Sequence, residues 1–266
     1  MGDDYEFGEP RWHRSLGSRP VYTQPNPASS SDIQFLSIFP LDDGVAMPTG
    51  LLPLNIFAPQ YVQMMNDLHA TPGRERLFGL VMSDGNGGLA EIGTGLEVVH
   101  REKKPDGRQL LTCVCRHRFK IRKVVQDEPY VICEVEYAIE DADVPPSESP
   151  LEIPDETADL EKEVAQTLID VVSLSNKLDV YGEPVNLPDK ISLLSPKSHA
   201  IRKSVASLFS FAVSDYLNIS ATERQVLLQS PTLHGRLRRL RGLLTASRDA
   251  LIAKLGEKGE EGEAFG

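Results

Sequence analysis

The sequence is poor in the features that announce most enzymatic and extracellular classes. It has three cysteines. Cys113 and Cys115 stand too close for an ordinary bridge, three thiols cannot all pair, and no CxxC exists, which excludes a disulfide scaffold and the usual zinc modules and fits a reducing compartment. No apolar run approaches the roughly 20 residues of a membrane-spanning helix: Leu51 to Phe57 is broken by Pro53 and Asn55. Basic residues are outnumbered, 28 against 39 acids for a net charge of -11, which disfavours a nucleic-acid partner unless positive charge is gathered on one face. The start, Met1-Gly2-Asp3-Asp4, lacks an apolar core, so no signal or transit peptide is expected. Glu6 stands where a myristoylation motif wants Ser or Thr. The expectation is an intracellular protein, cytoplasmic or organellar with a plastid not excluded, and without a membrane span.

What is present is ordinary globular material, 40% hydrophobic and 25% charged, in a chain long enough for a real core. Residues 1–32, rich in Pro and Ser, read as an extended arm. Trp12, the one tryptophan, either docks on a surface or lies in a loose tail. From Ile33 to Asp143 short apolar runs alternate with Gly and Pro, the texture of strands. Phe35 to Phe39, Leu77 to Met82, Ala90 to Val99, Gln109 to Val125 and Tyr130 to Ile139 are predicted strands. One helix is expected after Pro59, because Tyr61, Met64, Met65 and Leu68 recur at helical spacing. The acidic stretch Glu140 to Pro154 reads as a boundary.

Beyond it the period becomes 3.6. A helix is predicted from Asp155, with Leu160, Val164, Leu168, Val171, Leu174 and Leu178 inward. A second follows Ser195-Pro196 and buries Ile201, Val205, Leu208, Phe209, Ala212 and Tyr216. The box Ser220-Ala221-Thr222-Glu223 opens a short third. Ser230-Pro231 opens a last helix striped by Leu233, Leu237, Leu240, Leu244, Leu251 and Leu255 and ended by Gly256. The helical subdomain is thus placed at 155–256, with a disordered tail at 257–266.

Two ordered blocks carry a resemblance. Phe39-Pro40-Leu41, Met47-Pro48-Thr49-Gly50 and Leu52-Pro53-Leu54-Asn55-Ile56-Phe57-Ala58-Pro59-Gln60-Tyr61 are similar to the Phe-Pro-Leu, Pro-Gly and Leu-Pro-Leu-His-Ile-Phe-Glu-Pro-Arg-Tyr segments of the Lon N-terminal (substrate-binding) domain family. Arg118-Phe119-Lys120-Ile121, Pro129-Tyr130 and Glu134-Val135 resemble the end of its β subdomain. Asn55, Ala58 and Gln60 replace the family's His, Glu and Arg, and Thr49 is inserted between Pro48 and Gly50. The resemblance implies an α+β fold: a PUA-like β pseudo-barrel with an inserted helix over residues 33–143, then a C-terminal helical bundle. It implies a protein-binding role, recognising unfolded clients.

No GxxxxGK[ST] loop is present, and a Ser–Lys proteolytic half has no room before Gly266. A non-catalytic adaptor in protein quality control or proteolysis, without cofactor or metal, is therefore expected. Its partners would be unfolded clients, a protease or a larger complex. The alternative is a structural or assembly subunit anchored by the arm. Phe57, Tyr61, Met64 and Met65 are the candidate apolar contacts, since methionine suits adaptable surfaces; they would serve equally as core.

Arg116, Arg118, Lys120 and Arg122 alternate along one strand as a basic stripe, either solvated or facing an acidic partner or RNA; the first three are the candidate polar contacts. Cys113, Cys115 and His117 alternate on its other face, as core or as a thiol or metal site. Arg236, Arg238, Arg239 and Arg241 form a second basic cluster, lying over the core stripe or lining a partner groove. His69, Asp67 and Glu75 are the remaining polar mix, with no nucleophile beside them.

Overall fold

The structure is a computed structural model that describes residues 12–14, 33–70, 76–137, 139–144, 153–178, 180 and 199–263. Its contacts divide the chain into two units. One comprises residues up to Glu140 together with Ile219–Gln229; the other comprises Asp141–Asn218 and Ser230 onward.

Among the described residues the first unit holds eight strands: β1 (Trp12–Arg14), β2 (Ile33–Asp42), β3 (Leu51–Ile56), β4 (Leu77–Ser83), β5 (Gly88–Ala90), β6 (Ile92–Lys103), β7 (Gln109–Gln126) and β8 (Ile132–Tyr137). Helix α1 (Pro59–Ala70) lies between β3 and β4. β2 pairs β4 in parallel, and antiparallel pairings then run β4 to β6, β6 to β7, β7 to β8 and β8 back to β2. That circuit closes a five-stranded barrel. β3 is added outside on β7, and β5 and β1 outside β4. Of the N-terminal arm, residues 12–14 are thus tied by their backbone to β5, with Trp12 opposite Ala90; the rest of the arm lies outside the described residues.

Two departures from the predicted strands have local causes. Leu51–Ile56, given no element by its pattern, is a strand because its backbone pairs with Gln109–Val114 of β7, on one side among the described residues. Pro53, which has no N–H to give, is tolerated on such an outer strand. The segment predicted as one strand from Ala90 is two, β5 and β6, separated at Glu91.

β7 carries the main irregularity. Thr94 faces Arg118 and Leu96 faces Cys115, so β7 has one extra residue there, a bulge at Arg116–His117. The bulge changes which face the odd-numbered side chains take. Leu111, Cys113 and Cys115 enter the cluster built around Met64, Met65 and Phe78, whereas Phe119 and Ile121 enter the one around Leu36, Ile38 and Val81. Phe119 lies so close over Gly79 and Gly93 that a Cβ on either would stand 2.6 Å from its ring.

α1 buries Met64 and Met65 completely, with Tyr61 and Leu68 packed beside them, as its spacing predicts. Tyr130 donates its hydroxyl to Asp67 at 2.9 Å, fixing the outer side of α1 to the end of the β7–β8 hairpin.

α4 (Ala221–Gln229) belongs with the sheet rather than with the helices flanking it in sequence. Ser220 Oγ accepts the Glu223 N–H, the capping bond predicted for this start. Buried Gln225 donates to the Ile92 carbonyl at 2.9 Å, and Arg118 donates to the Leu228 carbonyl at 3.0 Å. A cation there complements the negative end of the helix.

The second unit contains α2 (Asp155–Leu178), α3 (His199–Asp215) and α5 (Leu233–Glu263). Thr157 meets His234 and Glu163 meets Arg241, so α2 and α5 run side by side in the same direction. Leu160, Val164, Leu168, Val171 and Leu178 of α2, and Leu233, Leu237, Leu240 and Leu244 of α5, are buried as predicted, while Leu174 is only partly so.

Three expectations are corrected here. Leu208 is 43% exposed, while Phe211 and Val213 are buried. The face of α3 bearing Ser207, Ser210 and Phe211 is taken by Arg236, which turns the apolar stripe. The cap of α5 is Thr232, whose hydroxyl accepts Gly235 N–H, aided by Asp143, whose carboxylate accepts the Leu233 and His234 N–H groups at 2.6 and 2.8 Å. α5 also runs through Gly256, Gly259 and Gly262 to Glu263, each glycine costing only about 1 kcal/mol in a helix. Ser195 and Pro196, and the side chains of Ile201 and Val205, lie outside the described residues.

Arg236 is wholly buried. It donates to both oxygens of Asp141 (2.8 and 2.5 Å), to Ser210 (2.6 Å) and to Ser207 (3.2 Å), and its guanidinium stands 3.9 Å from the centre of the Phe211 ring. Asp141 is equally enclosed and also accepts from Ser207 at 2.6 Å.

Breaking one partner of such a pair strands the other: Arg236→Ala or Asp141→Ala is expected to cost about 3–5 kcal/mol in guanidinium unfolding, and the joint Arg236→Met, Asp141→Leu change less than either. The turn Met47-Pro48-Thr49-Gly50, closed by Gly50 N–H to the Met47 carbonyl, places Thr49 at φ 86°. A proline followed by positive φ is the type II arrangement, which favours glycine at that third position. Thr49→Gly is expected to raise stability by about 1 kcal/mol, read as a higher denaturation midpoint. All three cysteines are buried thiols outside any disulfide, and burial pushes the Cys113 and Cys133 thiols up to about 12. The native protein should leave a thiol reagent at pH 8 unconsumed, and the denatured protein should consume it fully.

Candidate functional site

A groove of about 510 Å³ opens on the barrel unit. The end of β2 supplies Pro40, Leu41 and Asp42, and α1 supplies Tyr61. The opposite wall is Leu89 of β5 with Ser83 at the end of β4 and Gly87 of the turn between them, and Val124 of β7 and Val131 form the remainder. The walls are apolar with polar groups set among them, the usual make-up of a ligand site.

Tyr61 is held by its ring, which meets Phe39 edge-on at 4.6 Å between centroids. Its hydroxyl is raised above the ordinary phenol value first by burial and then by the negative charge of Asp42. It is therefore a neutral hydrogen-bond donor and acceptor at physiological pH. Asp42 is exposed at the mouth and gives this end of the groove a negative charge.

The residues singled out from sequence have separate fates. Tyr61 lines the groove, and Phe57, 71% exposed, stands just before α1. Met64 and Met65 are fully enclosed beneath α1 and have no surface to offer a partner. Arg118 is only 4% exposed and is spent on the carbonyl of Leu228; the bulge preceding it turns it inward, out of the expected stripe. The rest of that stripe is matched across the sheet. Arg116 pairs with Glu97, Lys120 with Glu91 at 2.9 Å, and Arg122 with Glu136. These are surface pairs of small individual value that cancel the stripe's charge.

The same bulge separates the thiol trio: Cys113 and Cys115 are buried, while His117 is exposed with its ring edge-on to Tyr137. In the second basic cluster Arg236 is core and Arg241 pairs with Glu163 at 2.9 Å. Asp67 is engaged by Tyr130, His69 by the Met65 carbonyl at 2.7 Å, and Glu75 lies outside the described residues. Groove residues missed from sequence are Leu89, Val124 and Val131, because nothing in their spacing distinguishes a groove wall from a core.

No helix among the described residues is long and apolar enough to cross a membrane. The family model described as the ATP-dependent protease La (LON) substrate-binding domain matches residues 36–246. The chain is 24% identical over 234 residues to Lon protease 1 of Herpetosiphon aurantiacus, covering 84% of this chain and 25% of that protein. It is 26% identical over 202 residues to the Lon protease of Flavobacterium johnsoniae, covering 73% and 22%. Among solved structures, the N-terminal domain of the Mycobacterium avium complex Lon protease matches with a TM-score of 0.56 at 12% identity, over 80% of this chain and 98% of that one, which supports the shared α+β fold. The chain spans about a quarter of the length of these curated relatives, and the matched family is that of the substrate-binding domain, not of an ATPase or protease domain. Its barrel, helical unit and sequence together make it a member of the Lon substrate-binding domain family.

Proposed function

We propose that the chain is a non-catalytic recognition module that captures exposed apolar segments of unfolded proteins in the Tyr61 groove and acts as an adaptor in quality control or proteolysis. The observation that carries this reading is the groove itself: an open cleft with apolar walls from β2, β5, β7 and α1 and a tyrosine fixed at its side. An extended peptide can place side chains against Leu41, Leu89, Val124 and Val131, each buried side chain contributing about 1.5–3 kcal/mol. Phe57 extends the contact beyond the cleft.

The assembly-subunit reading depends on an arm free to reach a partner. Residues 12–14 of that arm hydrogen-bond to the chain's own β5, which favours the recognition reading.

Val124 and Val131 are partly exposed in the groove and pack on the rim of the cluster around Leu36, Ile38 and Val81, so charging them lowers stability as well as changing the groove wall. Val124→Glu with Val131→Glu is expected to weaken binding of a labelled, permanently unfolded client about 10- to 100-fold in fluorescence anisotropy, measured well below the variant's lowered melting temperature, where its circular dichroism spectrum is native. Casein and ATP should both remain unhydrolysed. Undiminished client binding by that variant removes the groove as the site, and turnover by the purified chain removes the adaptor role.

A further inference from the structure

A second surface, apart from the groove, is built at the C-terminal end of α1. Gln109 of β7 donates its side-chain N–H groups to the Val62 carbonyl and to Asn66, so this face of the β6–β7 hairpin lies against α1. Arg101 of β6 reaches the same place. Its Nε donates to Gln109 at 2.8 Å and its Nη2 to Asn66 Oδ1 at 2.5 Å. Lys103, two residues on, takes the same side of the strand, with Gln109 as its cross-strand neighbour. Arg76 precedes β4, and its carbonyl accepts the Val98 N–H at 3.0 Å, which sets it beside β6. His69 closes the corner from the last turn of α1, one helical turn beyond Asn66.

These groups stand close enough to act on one another. The Arg101 guanidinium is held below its ordinary value by burial and then by Arg76. The His69 imidazole is lowered by burial, against its hydrogen bond to Met65, and then by Arg101, Arg76 and Lys103. Its Nε2 is buried and has no partner among the described residues.

The acids nearby are already engaged. Asp67 accepts from Tyr130, Glu102 pairs with Lys104 at 2.6 Å and Asp106 with Arg108 at 2.7 Å. Asp67 keeps its charge beside the Tyr130 hydroxyl and the end of α1 adds about half a negative charge, so three side-chain cations still leave the corner positive. Two N–H groups of Arg101 are spent on holding it in place, and its others remain for a bidentate carboxylate. In a chain of net charge -11, an anionic segment is repelled over most of the surface and drawn to such a spot.

We infer that Arg76, Arg101 and Lys103 form a docking corner for an acidic segment of a protein partner. An acidic peptide fits better than RNA. Of the phenylalanine and tyrosine side chains among the described residues Phe57 alone is largely exposed, and it is not part of the corner, which has no phenyl or phenol face on which bases could stack. The inference goes beyond the groove reading and stands or falls separately from it.

The test is fluorescence polarisation of the whole chain with a fluorescein-labelled deca-glutamate peptide at low salt. Arg76 and Lys103 are exposed and contribute nothing to the core, so Arg76→Ala with Lys103→Ala keeps the fold. That variant, and Lys103→Glu alone, should lose about tenfold or more in affinity. Lys104→Ala with Arg108→Ala, which removes neighbouring cations that are already paired, should change it less than about twofold. Binding should fade by about 0.3 M salt. The groove variant Val124→Glu with Val131→Glu should retain peptide binding, so that failure of one surface is not mistaken for failure of the other. Absence of peptide binding to the native chain, equal losses in the two double variants, or displacement of the peptide by an oligouridine at equal or lower concentration would overturn the proposal.

Discussion

Arg236 and Asp141 have been taken entirely out of water, and the helical unit is arranged around the requirement that neither be left alone there. A buried cation with one partner would be a liability. Here two carboxylate oxygens, two serine hydroxyls and an aromatic face meet it. Satisfying it fixes the first residue of the unit against α5, selects which face α3 presents, and sets Asp143 close enough to close the first turn of α5. The backbone between them adds the Ala142 N–H to the Pro231 carbonyl at 2.8 Å. Three consecutive residues, Asp141 to Asp143, thus act on one helix end through a buried ion pair, a backbone bond and a cap.

The barrel unit has its own pivot in the bulge at Arg116–His117. One surplus residue turns Arg118 inward and redirects Phe119 and Ile121 into the cluster beyond α1's own. It thereby lets a single long strand serve two cores and receive α4. The bulged side chains themselves go to the surface, Arg116 to Glu97 and His117 to Tyr137.

Much of this was legible in the residues. The spacing of Tyr61, Met64, Met65 and Leu68 gave α1 and its inward face, the capping box at Ser220 gave α4, and the leucine stripe gave the packed half of α5. The ordered Pro-Leu and Arg-Phe blocks gave the family and the α+β architecture. What escaped is what depends on distant partners. A buried arginine reads as a surface residue until its acid is found, and Asp141 lies 95 positions from Arg236. A bulge leaves no mark in a pattern of alternating residues. The Tyr61 end of the groove was within reach of sequence because an aromatic on a helix face is conspicuous; Val124 and Val131 are ordinary β residues until β7 and β8 are laid beside α1. Thr49 is an intermediate case. Its intrusion into a Pro-Gly pair was visible, while the positive φ it must adopt was not.

The return of α4 to the barrel has a bearing on synthesis. A ribosome releases β2 through β8 well before it reaches Leu228, whose carbonyl receives Arg118. At ordinary elongation rates the nascent sheet waits roughly five to twenty seconds for that acceptor. Through this interval the Ile92 carbonyl and the guanidinium edge that Leu228 will receive must be hydrated or shielded by something else. The barrel unit is therefore vectorially incomplete: its strands emerge as one block, yet Arg118 meets its helix-end acceptor only after most of the helical sequence has been made.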